Sequence, residues 1–180
     1  MATLPDSARH LVGPLALLGL AVTVPAHAQT MGGRPPSIPD LTVQSSLVVV
    51  GEVVSVRSEW NAARTEIVTQ IELRGDEVLR GSLTGGLVTV QQIGGQVGDV
   101  TSTLAGAPSF VKGERVLLFL SARRNGTLGV TGLFQGKFSV ERDPATGEEW
   151  AVRRVPGLPQ PLDRILLTTA RELIRRAPGA

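Results

Sequence analysis

The sequence predicts a mainly β protein: an antiparallel β-barrel of five to seven strands, followed by a C-terminal α-helix. From residue 47 onward, short blocks of β-branched residues alternate with Gly and polar turns, as in all-β sandwiches and barrels. Two of these blocks contain an internal glycine, Gly51 or Gly75, which commonly marks the bend of a barrel strand. One segment near the C terminus has apolar residues at helical spacing.

Residues 1–28 are predicted to be a secretory signal peptide. Arg9 supplies positive charge, residues 11–24 form a short apolar run, and an Ala-His-Ala tripeptide ending at Ala28 has the small residues that a signal peptidase reads. An uncleaved membrane anchor is the alternative, but it needs about 20 apolar residues. Cleavage after Ala28 predicts a secreted or periplasmic protein that begins at Gln29 and keeps no stable membrane anchor.

The composition excludes several kinds of catalytic site from the mature chain. The protein has no Cys, no Tyr and 2 His, and both His10 and His27 lie in the predicted signal peptide. The mature chain therefore cannot form Ser-His-Asp or Cys-His sites, zinc or haem sites with His or Cys ligands, or disulfides. We expect no cofactor and no metal. Basic and acidic residues alternate along the chain, which gives little of the one-sided basic face that binds nucleic acid.

Residues 29–44 are predicted to be a flexible N-terminal arm, because Gly and Pro are frequent in residues 29–40. The barrel is assigned to residues 45–155. Its predicted strands are 47–58, 65–79, 87–93, 115–121, 127–134, 136–141 and 148–154.

The second strand shows the clearest alternation between a core face and a solvent face. Ile67, Ile71 and Leu73 point one way, while Glu72 and Arg74 point the other. Asn125-Gly126 predicts a hairpin turn farther along the chain. Consecutive antiparallel strands joined by such turns form a meander.

Residues 156–180 are predicted to be a linker and the C-terminal helix. Pro161 and Asp163 suit a first turn, and Arg175 and Arg176 suit a last turn. Apolar residues recur between them at helical spacing, which favours packing against the barrel. A membrane-surface helix is the alternative for a basic amphipathic segment.

The longest irregular stretch, residues 94–113, is the predicted place of function, because long loops in compact domains often bind ligands. Its side chains can hydrogen-bond a peptide or a sugar. A loop that only closes the barrel is the alternative. The predicted ligand-binding residues are Gln91, Gln92, Gly94, Gly95, Gln96, Ser109 and Lys112.

Ser109 and Lys112 also have the Ser-x-x-Lys spacing of penicillin-recognising enzymes. The partner Ser-Asp-Asn and Lys-Thr-Gly motifs are absent from the sequence, and Gly113 follows within one turn. No catalytic residue is therefore predicted.

Several runs together resemble exported bacterial proteins with an OB-like barrel, including a small secreted family without an assigned activity. The runs are LVVVGEVVSV at 47–56, VLRG at 78–81, VTV at 88–90, FVKGERVLLFL at 110–120 and GLFQGKF at 132–138. They are also similar to the barrel of tissue inhibitors of metalloproteases and netrin modules, which implies an OB-like fold for roughly residues 47–140. Those inhibitors act through a disulfide-bonded N-terminal Cys that chelates zinc. This chain has no Cys, so no residue inherits that role.

Three functions stay open at this point. The leading hypothesis is an exported, non-enzymatic binding or accessory protein that recognises a protein or polysaccharide partner through residues 94–113 and a barrel face. The alternative is a hydrolase or lyase that uses carboxylates with Lys137 or Lys112. The third is single-stranded nucleic-acid binding through an OB face, which is not expected because so few aromatic residues are present to stack on bases.

Overall fold

A computed structural model describes residues 34–178 of the chain. The helices are α1 (Ile38–Gln44) and α2 (Leu167–Arg176), and a 3-10 turn spans Leu133–Gly136. The strands are β1 (Leu47–Trp60), β2 (Ile67–Arg80), β3 (Leu87–Ile93), β4 (Gly95–Val97), β5 (Val100–Ser102), β6 (Arg115–Ala122), β7 (Leu128–Val130), β8 (Lys137–Arg142), β9 (Glu149–Arg154) and β10 (Pro161–Leu166). The predicted signal peptide and the first five residues of the predicted arm lie outside this range. Within it, no helix has the length and apolar character needed to cross a membrane.

Five strands close into a barrel in the order β1-β2-β3-β7-β6, and β6 returns to β1. The predicted class, a mainly β barrel with a C-terminal helix, is confirmed. The barrel is mixed rather than purely antiparallel, because β3 and β7 run parallel where Val90 faces Leu128. Strand directions cannot alternate all the way around a ring with an odd number of strands, so one parallel contact is unavoidable.

Strands β8, β9 and β10 continue the sheet outward from β6. On one edge of β6, Leu120 pairs with Val130 of β7 while Leu117 pairs with Phe138 of β8. The strands predicted at 136–141 and 148–154, which were assigned to the barrel, therefore form an extension outside the closed ring.

The core has two layers that share β1 and β6. Val49 and Leu118 belong to the cluster inside the barrel. Val50 and Leu117 belong to a second cluster, which includes residues of both helices and which we call the outer core cluster. Both faces of these strands are buried, which explains why their sequences are continuous apolar runs. The inward residues Ile67, Ile71 and Leu73 of β2 are also buried, as their alternation predicted.

The prediction of a flexible arm is wrong for residues 38–44, which form α1. Ser37 caps this helix, and a proline stands in its first turn. Pro suits that position because its missing N–H would have no helical partner there. Leu41 is buried in the outer core cluster, so the segment is part of the folded domain.

The helix start predicted at Pro161 is also wrong. Residues 161–166 form β10, in which Ile165 pairs with Ala151 of β9. Pairing with an available sheet edge outweighs the helical spacing of the apolar residues. The helix begins at Leu167 and buries Ala170 and Ile174 in the outer core cluster, which confirms packing on the barrel side.

Two further segments differ from their predicted form. The strand predicted at 127–134 is shorter, because β7 ends at Val130 and the 3-10 turn follows. The stretch 94–113 is not wholly irregular, since Gly95–Val97 and Val100–Ser102 pair as a small antiparallel hairpin.

We expect the cap of α1 to weaken in acid. The Ser37 hydroxyl and backbone N–H donate to the Asp40 carboxylate, and these bonds lower the pKa of Asp40. A lowered folded-state pKa stabilises the protein above the unfolded pKa of about 4 and ceases to do so as the pH falls through the folded value. Urea unfolding should therefore show Asp40→Asn to be less stable than the parent at neutral pH, with the difference shrinking as the pH falls through the lowered pKa of Asp40. A difference that persisted unchanged in acid would contradict this account.

Candidate functional site

The glycine pair Gly94-Gly95 turns the chain sharply at the end of β3. Gly94 has φ +95, and its N–H donates to the Ile67 carbonyl oxygen at 2.8 Å. The Thr69 hydroxyl donates to the Gly94 carbonyl oxygen at 2.6 Å. A Cβ at Gly95 would lie 2.3 Å from the Ser58 hydroxyl oxygen, closer than atoms can approach. The backbone requires glycine at both positions, and this turn places the following strand, β4, against β1 and β2.

Four of the predicted binding residues line one cleft of about 230 Å³, which we call the neutral cleft. They are Gln92, Gly94, Gly95 and Ser109. The remaining walls include Ser102, Thr103, Leu104, Ala107 and Pro108. None of the side chains in this cleft carries a formal charge, so it offers hydroxyl, amide and backbone groups for hydrogen bonding.

The other three predicted residues are not among those that line the neutral cleft. Gln91 accepts a hydrogen bond from the Thr127 hydroxyl at 3.4 Å. Gln96 is exposed and donates to the Gly98 carbonyl oxygen. Lys112 is exposed in the turn before β6. Successive strand residues point to opposite faces, which is why neighbouring glutamines separate.

A second cleft of about 200 Å³, which we call the charged cleft, lies next to the first. Its polar residues include Glu114, Lys137 and Ser139, and its apolar residues include Val111 and Phe134. Pro108 and Ser109 line both clefts. Ser109 is exposed, so it lies at the border where one ligand could contact both.

The charged cleft contains a half-buried ion pair. Lys137 Nζ is 2.7 Å from Glu114 Oε1, and the Ser139 hydroxyl donates to the same oxygen at 2.6 Å. The side chains of Lys137 and Glu114 are only 11% and 19% exposed. Lys137 Nζ also lies 5.1 Å from the centre of the Phe110 ring, within range of a cation–π interaction. The pair neutralises itself, and the other charged residue that lines the cleft, Arg154, pairs with Glu141.

Local structure explains how these groups meet. Lys137 and Ser139 are two residues apart on β8 and therefore share a face. The turn that carries Glu114 is fixed to β1, because Val53 N–H donates to the Glu114 carbonyl oxygen and Gly113 N–H donates to the Val53 carbonyl oxygen. The sequence interpretation considered Lys137 only as a catalytic group and did not find Glu114 or Ser139. The Lys-x-Ser alternation was the available signal, but its partner, Glu114, comes from the turn before β6.

Within residues 34–178, no cluster of three or more Asp, Glu or His side chains is arranged to hold a metal ion. The charged cleft contains one carboxylate, Glu114, rather than the converging pair that the hydrolase hypothesis called for.

No protein-family model and no curated protein matches this sequence.

We expect the Glu114–Lys137 pair to be more strongly coupled than an exposed one. A double-mutant cycle with Glu114→Gln and Lys137→Met should give a coupling free energy of about 1–3 kcal/mol in urea unfolding, because both partners are largely removed from water. The matched control is Arg57–Glu59, which are 3.9 Å apart and 75% and 45% exposed. That pair should give less than about 0.5 kcal/mol. Equal coupling in the two cycles would contradict the expected difference.

Proposed function

We propose that the protein is an exported, non-enzymatic binding or accessory protein that recognises a protein or polysaccharide partner through the neutral and charged clefts. The observation that carries this proposal is that Ser109, an exposed residue, borders both clefts. A ligand lying across Ser109 would meet uncharged hydrogen-bonding groups on one side and a self-neutralised ion pair beside apolar walls on the other. Peptide backbones and sugar hydroxyls suit such a surface.

Export forms a separate part of the proposal. Its support is the charged, apolar and small-residue order of residues 1–28. The likeness to secreted bacterial proteins, and to the barrel of metalloprotease inhibitors and netrin modules, belongs here too. The closed five-stranded barrel is compatible with an OB-like barrel. N-terminal sequencing of protein from the periplasm or medium should begin at Gln29. A sequence that began at Met1 would contradict cleavage.

Binding is tested with peptide and oligosaccharide arrays. The purified protein should bind a defined subset of spots, and Ser109→Trp should weaken that binding about tenfold or more, because an indole at this position obstructs both clefts. Ser82→Trp is the matched control, since Ser82 is exposed in the connection between β2 and β3. Retention of all binding by Ser109→Trp, or no binding by the parent, would contradict the proposal.

A hydrolase or lyase is the second candidate, and the meeting of Glu114, Lys137 and Ser139 in one cleft favours it. Binding and catalysis are distinguished by incubating the bound ligands with the protein and measuring the masses of the products by mass spectrometry. Intact ligands support binding alone. Cleavage that Glu114→Gln abolishes would assign the cleft to catalysis instead.

A further inference from the structure

Strand β10 forms an edge of the eight-stranded sheet. Among residues 34–178 it pairs with β9 and with no other strand. The outward backbone groups of an edge strand can pair with an added chain. Natural proteins commonly protect such edges with charge, proline or a bulge. Here Pro161 begins the strand, and the register shifts between Pro161 and Asp163.

A cleft of about 460 Å³ adjoins this edge, and we call it the edge cleft. Asp163, Arg164 and Ile165 of β10 line it together with Arg153 of β9 and Phe138 of β8. The cleft therefore begins at the edge strand and extends over the face of the sheet that carries both helices. Its volume lies within the roughly 300–1,000 Å³ that is typical of ligand sites.

The walls of the edge cleft are mostly apolar. Ile38 and Phe138 are buried, Leu173 is half-buried, and Leu162 is 39% exposed. These side chains come from α1, β8, α2 and β10, so the cleft is formed by elements that the folded domain brings together. An added strand that places every second side chain toward these walls would bury apolar surface there.

The charged groups around the edge cleft give it a positive balance. Its charged residues are Arg34, Arg153, Asp163 and Arg164. Arg153 and Asp163 form an ion pair with each other and cancel. Arg164 lies over the Trp150 ring of β9, with its guanidinium carbon 4.0 Å from the ring centre, so its charge is held one strand in from the edge. Among the lining residues, Arg34 and Arg164 remain as the excess positive charge, and the carboxylates nearest to them, Asp40 and Asp143, lie outside the lining.

This charge balance distinguishes between possible occupants. A second copy pairing edge to edge would bring the same excess of arginines to both sides of the contact, and like charges repel. A strand that carries acidic side chains would find complementary charges instead. The edge, the apolar walls and the arginines together specify an extended acidic and apolar chain.

We propose that β10 and the edge cleft bind an extended peptide segment of a partner protein, with alternating acidic and apolar side chains, which adds to the sheet as a ninth strand. Backbone hydrogen bonds to β10 supply affinity, and the alternate side chains supply specificity. The acidic residues face Arg34 and Arg164, and the apolar residues enter the edge cleft. This site shares no lining residue with the neutral cleft and none with the charged cleft. The peptide-binding proposal can therefore be tested independently of the function proposed above.

The probe is a fluorescein-labelled, end-capped octapeptide of alternating Glu and Val, titrated with the full chain as purified. Fluorescence anisotropy should show saturable binding. A peptide of alternating Lys and Val should bind at least about tenfold more weakly, because its charges match those of the edge. Two further peptides carry N-methyl groups on all Glu or on all Val residues. One of them should lose binding at least about tenfold, because a paired strand directs only alternate N–H groups toward its neighbour.

Protein variants locate the peptide. Arg164→Glu should weaken binding about tenfold or more, whereas Arg124→Glu, the same charge change in an exposed hairpin turn, should leave it within about twofold. Amide shifts in NMR spectra should concentrate in residues 161–166 on peptide addition. If Arg164→Glu does not fold, the N-methylated peptides still decide the question with the parent protein.

Several results would overturn the proposal. These are absence of saturable binding, equal binding by both N-methylated peptides and the unmodified one, or equal loss in Arg124→Glu and Arg164→Glu. Light scattering that showed a dimer whose formation excludes the peptide would assign the edge to a second copy instead.

Discussion

Replacing Arg153 by Met is expected to lower the free energy of unfolding by about 2–4 kcal/mol. The Arg153 side chain is only 4% exposed, and its guanidinium connects three parts of the domain. Nε and Nη2 donate to the carboxylate of Asp163 in β10, and Nη1 donates to the carbonyl oxygens of Pro36 and Gln135 at 2.9 Å and 3.3 Å. Met fills much of the volume but can donate none of these bonds, so the segment before α1, the 3-10 turn and the edge strand lose their common partner.

The neighbouring Arg154 supplies the control. Its side chain is 43% exposed and pairs with Glu141 at 2.7 Å. An exposed ion pair contributes little, so Arg154→Met should change the free energy of unfolding by less than about 1 kcal/mol. Urea unfolding followed by circular dichroism measures both variants. Similar values for the two would show that the buried arginine does not hold these segments together.

Replacing Gly51 by Ala is expected to cost about 3 kcal/mol or more, or to prevent folding. A Cβ at this position would lie 2.2 Å from the carbonyl oxygen of Arg74. That oxygen belongs to the backbone of β2, so relief requires a strand to move rather than a side chain to rotate. Gly51 pairs with both Gly75 of β2 and Val116 of β6, and a displacement there would disturb the barrel on two sides.

Gly85→Ala is the control variant, because it tests the cost of an unfavourable backbone conformation without any crowding of the side chain. Gly85 has φ +83, and a Cβ there would meet no atom within 4 Å. Its expected cost is only the strain of a left-handed residue, about 1–2 kcal/mol. Thermal unfolding of the two variants gives the comparison. A Gly51→Ala protein as stable as Gly85→Ala would contradict the crowding argument.

The binding proposals assign different tasks to two regions of the domain. The neutral and charged clefts adjoin at Ser109 and present hydrogen-bonding groups. The edge cleft lies beside β10 and combines apolar walls with arginines. Ser109→Trp and Arg164→Glu therefore form a reciprocal pair, and each should impair one binding reaction while leaving the other intact.

Local patterns predicted the strands well where one face meets the core. Alternation in β2 identified Ile67, Ile71 and Leu73 as inward residues, and all three are buried. The internal glycine of the first strand predicted a bend, and the register between β1 and β2 shifts beside Gly51. Strand patterns were readable because burial of one face leaves a period of two in the sequence.

Segments whose structure depends on distant partners were not predictable in this way. The proline-rich stretch around residue 38 resembles an arm until its helix finds a place in the outer core cluster. Residues 161–166 have helical spacing and nevertheless pair with β9. In both cases tertiary contacts outweigh local propensity, which amounts to less than about 1 kcal/mol per ordinary residue.

The candidate site also contains residues that local patterns predicted and residues that only distant contacts bring together. Gln92, Gly94, Gly95 and Ser109 came from the longest stretch without a clear pattern, and they line one cleft. The ion pair of Glu114 and Lys137 joins residues that are distant in the sequence. A local sequence pattern does not predict which charged residues of distant segments will form an ion pair.

By itself, the sequence determined that this chain forms a mainly β barrel with a C-terminal helix, because alternation and glycine position are local consequences of burial. Only the tertiary structure decided that the ring closes with five strands and one parallel contact, that β10 lies at an edge, and that Arg153 is buried. The physical reason is that ring closure, edge position and ion pairing depend on contacts between distant segments. Their energies exist only once the chain has brought those segments together.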